Sequence, residues 1–397
     1  MRFPRLAFLI SAIMIICVSA TKAQPSQRVL APRMTHPAVV VLDENPAIRL
    51  HLTQGTMLLN IMLIGPDPEN NILLLETQKT IDDQTLSLGL YKSTKPGLYS
   101  LEITTSVDGD EVTETFARSV WVMKSAPGRV TFAHLADTHT GDPRAAMSPS
   151  VEQPDERREK VLRAACASGV DFVIVTGDIV SVPGNYPKEY KEAFSQFEQF
   201  VSCPLFLVPG NHDQYTTHAS KKSADGAAFW QRYFGEDKYA FSIGQYAFVA
   251  VNTYDWPAQY RNFMNQPLMR QVGSYSSGAM SRGQYIWLDQ TLAGLSDKHT
   301  LVFGHHLFRD FSTKNSSVPD LEAPDHVLGL LASHGVKYYF AGHNHRNTGE
   351  TVQGVTLSTV VSAASDIPDD ASWGFRKCTA ENESVSCEFI SVVPRTD

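Results

Sequence analysis

Five short apolar runs in this chain each break into a knot of Asp, His and Asn, and that recurrence constrains the fold more than any other feature. Arg129–Leu135 runs into Asp137-Thr138-His139, and Val170–Thr176 into Gly177-Asp178. Leu205–Val208 runs into Pro209-Gly210-Asn211-His212-Asp213. Thr300–Phe303 runs into Gly304-His305-His306, and Lys337–Phe340 into Ala341-Gly342-His343-Asn344-His345. Short apolar runs bounded by turn residues read as buried strands. Between them, Asp155–Ala167, Tyr186–Val201 and Pro324–Ser333 read as helices, and Ser281-Arg282-Gly283-Gln284 as a capping-box helix start. Strands alternating with helices predict an α/β fold over residues 129–393. In such folds sites form beyond the carboxyl ends of the strands, so five distant endings can converge.

The residue types at these endings suit metal ions. One carboxylate, that of Asp178, can bridge two cations, and imidazoles mixed with hard oxygens suit Mn, Fe, Zn or Co. Two ions about 3.5–4 Å apart can clamp both oxygens of an in-line displacement. A single Asp-x-His carries little information; five such blocks in order carry a great deal. His306 reads equally as a substrate contact or a structural neighbour. His218, His299, His326 and His334 read as surface or helix positions. The stretch Tyr254–Gln271, with Trp256, Tyr260, Arg261 and Arg270, reads as a loop able to overhang the site.

In order and residue type, the five blocks resemble the calcineurin-like metallophosphoesterase family: D-x-H, G-D, G-N-H-D, G-H-H and G-H-x-H. The resemblance covers about residues 129–393 and implies a four-layer α/β-sandwich built on two β-sheets. It implies that Asp137, His139, Asp178 and His345 bind one metal ion, and that Asp178, Asn211, His305 and His343 bind the other. It further implies a hydroxide bridging the metals as nucleophile, His212 as the residue assisting the leaving group, and Asp213 as the residue orienting His212 or its loop. In the purple acid phosphatase branch a Tyr three residues after the bridging Asp binds iron. Ser181 stands there in this chain, so the resemblance is to the non-purple branch.

The rest of the chain reads differently. Residues 30–125 carry about seven short β-prone runs, including Gly97–Val107 and Glu111–Met123 around Asp108-Gly109, a strong hairpin signal. That pattern predicts a small all-β sandwich of immunoglobulin type, bounded by Ser125-Ala126-Pro127-Gly128. It holds no cluster of chemistry-bearing residues, which leaves it a structural role or a protein partner. Arg2 and Arg5, the apolar run Leu6–Ala20, and small residues at Ala20 and Ala23 form the three parts of a secretory signal peptide, residues 1–23. Its removal takes away three positive charges and moves the formal net charge from −8 to −11. Such an acidic chain has no bulk attraction for nucleic acid. After cleavage no transmembrane span is expected, and the protein is expected in the periplasm or outside the cell. Four cysteines then remain. Cys378 and Cys387 fall opposite each other in a hairpin turning at Asn382-Glu383; for Cys166 and Cys203 the sequence leaves a disulfide and two free thiols equally open.

The expected activity is hydrolysis of a phosphomonoester or phosphodiester, the substrate being the phosphate ester. Two other readings are consistent with the same residues: a phosphodiesterase for cyclic nucleotides or lipid head groups, and a surface binding protein that uses the β-sandwich beside an inactive phosphoesterase scaffold.

Overall fold

Alternation along the buried strands decides the architecture. The computed structural model describes residues 27–395 apart from 45, 66–70, 75–77, 148–149, 151, 220–221, 314–317 and 368–370. The expected leader, residues 1–23, lies outside the described residues. Arg129–Leu135, Phe172–Thr176 and Leu205–Val208 lie parallel, and the hairpin Trp373–Glu381/Ser384–Val393 adds antiparallel to the first, making a five-stranded sheet. Tyr246–Ala250, His299–Phe303, Tyr338–Ala341 and Val355–Thr359 are parallel, edged by Tyr239–Ile243 and Thr348–Val352, making a six-stranded sheet. Successive side chains of a strand point to opposite faces. Phe132, Phe172, Phe206, Phe248, Phe303 and Phe340 therefore meet between the two sheets, Phe132 lying edge-on to Phe248, Phe303 and Phe340. Ala133, Val173, Val175, Leu205 and Leu207 face the other way, against helices Pro154–Ala167, Tyr186–Phe200 and Gly226–Tyr233. Helices Arg282–Gly294 and Pro324–Ser333 cover the outer face of the six-stranded sheet. Helix, sheet, sheet, helix are the four layers.

The helix starts follow from local chemistry, with one departure. Ser281 Oγ accepts from the Gln284 amide (3.2 Å), as a capping box requires. Gln284 does not reciprocate: its side chain instead bonds the backbone N–H (2.8 Å) and C=O (2.7 Å) of Asn252. Tertiary pairing outcompetes the local cap.

The N-terminal domain is a sandwich with nine strands among the described residues. One sheet comprises Val29–Ala31, Ala47–Leu52, Thr85–Gly89 and Gln78–Thr80; the other comprises Ala38–Val41, Asp110–Met123, Gly97–Val107, Met57–Ile64 and Ile72–Leu73. Leu50, Leu52, Leu88, Ile61, Leu101, Ile103, Val120 and Val122 fill the space between them. The sequence led us to expect about seven strands. The two additional ones are three residues long, and Gln78–Thr80 is wholly exposed and polar, so neither has an alternating pattern to read. Asp108 and Gly109 both take positive φ (50° and 84°), the geometry their hairpin turn demands.

Both cysteine pairs are disulfides, Cys378–Cys387 across the final hairpin in the expected register and Cys166–Cys203 between a helix end and the turn before Leu205. The β-sandwich docks where the five-stranded sheet would otherwise end in an open edge. Leu207 N–H donates to the Thr35 carbonyl (2.8 Å), and Thr35 Oγ1 donates to the Phe234 carbonyl (2.7 Å). His51 of the sandwich meets Glu236 of the α/β domain at 2.5 Å. The hydrogen bond to Glu236 raises the His51 pKa above its ordinary value even though burial opposes it. Burial pushes Glu236 upward, but the hydrogen bond from His51 holds it below its ordinary value.

The pair therefore stabilises the docked state fully between the ordinary Glu and His values, about 4.5 and 6.5. Its His contribution fades as pH rises through the elevated His51 pKa. His51→Gln should lower the denaturation midpoint more at pH 6 than at pH 9; an equal penalty at both would exclude the ion pair as the cause.

Candidate metal centre

The five strand endings converge. Asp137, His139, Asp178, Asn211 and His305 are each at most 2% exposed, and His343 and His345 close the rim. Among the described residues four clusters of potential ligand atoms, each spanning no more than 4.8 Å, join here through shared residues: Asp137/His139/His345, Asp137/Asp178/His305, His139/Asp178/His212 and His305/His306/His343. Asp178 belongs to two of them. Its Oδ1 accepts from the His212 amide (2.9 Å). Its Oδ2 faces His305 Nε2 on one side (3.1 Å) and His139 Nε2 on the other (3.6 Å). One oxygen is thus held by backbone while the other stands between two imidazoles, the disposition of a bridging ligand. Asp137 Oδ1 faces His345 Nε2 (3.3 Å) and His139 Nε2 (3.8 Å).

The rings are aimed from behind. His305 Nδ1 donates to the Thr176 carbonyl (2.8 Å) and His345 Nδ1 to the Asp366 carbonyl (2.6 Å), so each presents Nε2 to the site. Tyr215 does the same for Asn211: Asn211 Nδ2 donates to its hydroxyl (2.7 Å), which donates to the Tyr275 carbonyl (2.6 Å). Asn211 Oδ1 is left buried with no hydrogen-bond partner among the described residues, as is His139 Nε2. Orphaned buried acceptors are rare and call for an explanation; a cation beside each supplies it. The donor set of carboxylate, amide oxygen and imidazole fits metal ions, and the structure brings the seven expected ligand residues together here.

The backbone is bent to make this possible. Asp137 (φ 57°), His139 (43°), Asp178 (53°), His343 (70°) and His345 (50°) all lie in the left-handed region, five of the eleven such non-glycine residues described. Strain of that kind persists only where the surroundings over-determine it. Arg158, itself buried, donates to the carbonyls of Thr138 (2.9 Å) and His139 (3.1 Å). Ser362 Oγ donates to the Asp137 carbonyl (2.7 Å). Glu189 accepts from the amides of Ser181 and Val182 (2.9 Å each), and Thr253 Oγ1 from those of His305 and His306 (3.0 Å each). Sequence reasoning missed these residues, along with Tyr215, because each belongs to no motif and acts from a different element.

The remaining site residues fall as follows. The half-buried His212 ring lies 4.8 Å from that of His139, and its Nδ1 donates to the Ser181 carbonyl (2.6 Å). Asp213 holds the loops rather than the imidazole: its carboxylate accepts from the amides of Ile179 (2.8 Å), Val180 (3.0 Å) and Gly210 (2.8 Å). Burial, reinforced by the Asp178 charge, pushes the Asp213 pKa up to about 8. His306 does enter the site, its ring 4.4 Å from that of His343. The segment 254–271, expected as a loop, instead runs through short helical turns into the helix Gln266–Val272, and from it Tyr254 stacks on His306.

This is the arrangement of a dimetal phosphoester hydrolase on an α/β-sandwich. A family model described as calcineurin-like phosphoesterase matches residues 130–347, and the chain belongs to that family, whose enzymes are dinuclear-metal dependent. The chain is 30% identical over 204 residues to the serine/threonine-protein phosphatase CPPED1 of Bos taurus, a match covering 49% of this chain and only 58% of that protein. It is 26% identical over 247 residues to the glycerophosphodiester phosphodiesterase GpdQ of Enterobacter lignolyticus, covering 59% of this chain and 78% of that one. Among solved structures, the purple acid phosphatase PPD1 of yellow lupin superposes with a TM-score of 0.52 at 13% identity, over 94% of this chain and 73% of its own, a likeness of fold.

Two outcomes are expected. A Cβ at Gly210 would lie 2.2 Å from Asp178 Oδ1, so Gly210→Ala should keep its circular dichroism and lose bound metal; full metal occupancy by elemental analysis would refute the packing argument. In the metal-free protein, burial lowers the His305 and His345 pKa values, but their facing carboxylates Asp178 and Asp137 outweigh it and raise both to about 9. Below that pH a metal must displace protons. Mn²⁺ affinity should therefore climb from pH 6 to pH 8 with proton release in calorimetry, and a flat profile would contradict the assignment.

Proposed function

We propose that the protein is an exported phosphoesterase that uses two metal ions to hydrolyse phosphomonoesters or phosphodiesters. The observation that carries the reading is the position of Asp178 Oδ2 between His139 and His305, with the other ligand side chains gathered round it. When bound, the ions supply Lewis acidity and an activated water. The chain's own residues do the rest. His212 Nδ1 is engaged by the Ser181 carbonyl, which leaves Nε2 to give a proton to the departing oxygen as the phosphorus–oxygen bond breaks. The His212 carbonyl in turn accepts from the Tyr186 hydroxyl, so this residue is fixed at backbone and ring alike. Asp213 keeps the loops bearing Asp178 and Asn211 in register through its three amide contacts. Ser181, where the purple branch carries Tyr, offers no phenolate to a metal, which supports a colourless enzyme.

Export is supported by the leader's three-part pattern and by two disulfides, which persist in oxidising compartments. No described helix is long and apolar enough to cross a membrane.

Hydrolysis of p-nitrophenyl phosphate and bis(p-nitrophenyl) phosphate by the Mn²⁺-loaded protein tests the reading. Asp178→Ala should abolish turnover of both esters together with metal binding. His212→Ala should lower kcat about 10²–10⁴-fold while metal content stays at the wild-type level. Unchanged kcat would remove His212 from the reaction.

A further inference from the structure

The loop after the first ligand pair carries a cation that the reaction so far does not use. Asp142 has a side chain only 1% exposed, and it is satisfied almost entirely by Arg144. It accepts from Arg144 Nε (3.0 and 3.1 Å), Nη2 (2.8 Å) and backbone N–H (2.8 Å), and from Ser365 Oγ (3.1 Å). The Arg144 side chain is 49% exposed, and the second edge of its guanidinium, at Nη1, meets no acceptor among the described residues. Asp142 Oδ2 lies 3.8 Å from His139 Nδ1, so the guanidinium stands one side chain behind a metal ligand. The field of the site reaches it. The hydrogen bond to Asp142 raises its pKa despite partial burial, and the Asp366 and Asp178 charges add to that.

A buried carboxylate needs a cation, and neutralising Asp142 alone would account for an arginine here. It does not account for the orientation. A bidentate grip fixes the planar fork and leaves its second edge free on a half-exposed side chain that feels the Asp366 and Asp178 charges, so a second anion can be taken there bidentately or end-on. A phosphomonoester above its second ionisation, near pH 6, brings one more charged oxygen than a diester.

We propose that Arg144 is a substrate-binding, specificity-determining residue whose free edge takes an anionic phosphoryl oxygen and favours dianionic phosphomonoesters over monoanionic phosphodiesters. The inference rests on the phosphoesterase reading. The test uses the full Mn²⁺-loaded chain at pH 8, with Arg144→Gln and Arg144→Lys, on p-nitrophenyl phosphate and bis(p-nitrophenyl) phosphate, and with inorganic phosphate as inhibitor. Losing a charged hydrogen bond corresponds to about ten- to a hundredfold. Arg144→Gln should lose that factor in kcat/KM on the monoester, mainly through KM, and weaken phosphate inhibition alike, with a clearly smaller loss on the diester. Arg144→Lys, with charge but no fork, should fall between. Equal losses on the two esters with phosphate inhibition unchanged, the result of a purely structural role, would overturn the proposal, as would no loss on either. Should Arg144→Gln fail to fold or to hold metal, the Lys variant and its phosphate inhibition decide. A wild-type protein silent on both esters would instead defeat the phosphoesterase reading, and the clamp with it.

Discussion

The geometry of the whole α/β domain turns on one carboxylate. Asp178 must place one oxygen between two imidazoles from different sheets, and it can do so only if its other oxygen is immobile. The His212 amide fixes that oxygen, and Gly210 presses so close that no side chain fits between. His305 reaches Asp178 from the six-stranded sheet, and Asp178 itself stands on the five-stranded one. The phenylalanine layer between the sheets sets their separation. Close packing of that layer is thus a condition on the site, because interiors transmit small volume changes as displacement.

A second constraint is energetic. Two buried carboxylates and several buried imidazoles crowd into clusters whose atoms lie within 4.8 Å of one another, on a backbone strained at five of the expected ligand residues. Burying charge costs several kcal/mol per ion unless it is paired. The chain spreads the compensation. Arg158 and Ser362 hold the strained carbonyls, while Asp213, Glu189 and Thr253 collect the loop amides. Desolvation keeps His139 and His343 neutral and ready to donate a lone pair, the latter with its pKa lowered to about 4. The ligands are therefore aimed by the protein's own contacts rather than gathered by an arriving ion, which is what a catalytic metal site needs for precise placement.

How much of this could be read in the sequence follows from what each feature depends on. The strands ending in Asp137, Asp178, Asn211, His305 and His343 were legible because apolar run and ligand block are contiguous. So was the final hairpin, since the Cys378–Cys387 pairing depends only on register. The Cys166–Cys203 disulfide joins a helix end to a turn 37 residues on, and nothing local specifies that approach. Helices Gly226–Tyr233 and Gln266–Val272 are too short to show a period. The outer contacts of the site were illegible for a deeper reason. Arg158, Glu189, Tyr215 and Thr253 act on backbone atoms, and any sequence offers backbone atoms everywhere.

The β-sandwich makes the same point from the opposite direction. Its strands announce a domain, yet their pattern says nothing of where it docks. The structure shows Thr35 completing the edge of the sheet at Leu207, two strands from the ligand-bearing Arg129–Leu135 and immediately before Asn211 in the chain. An open edge there would leave the strand that delivers Asn211 and His212 free to fray or to pair with another chain. The sandwich thereby steadies the loop that presents Asn211 and His212, although it contributes no side chain to the described ligand clusters. The same docking is shared by the His51–Glu236 contact and by hydrogen bonds from Arg118 to the Glu198 carbonyl (2.9 Å) and from Arg33 to the Arg232 carbonyl (3.3 Å), so the edge is held from several elements at once.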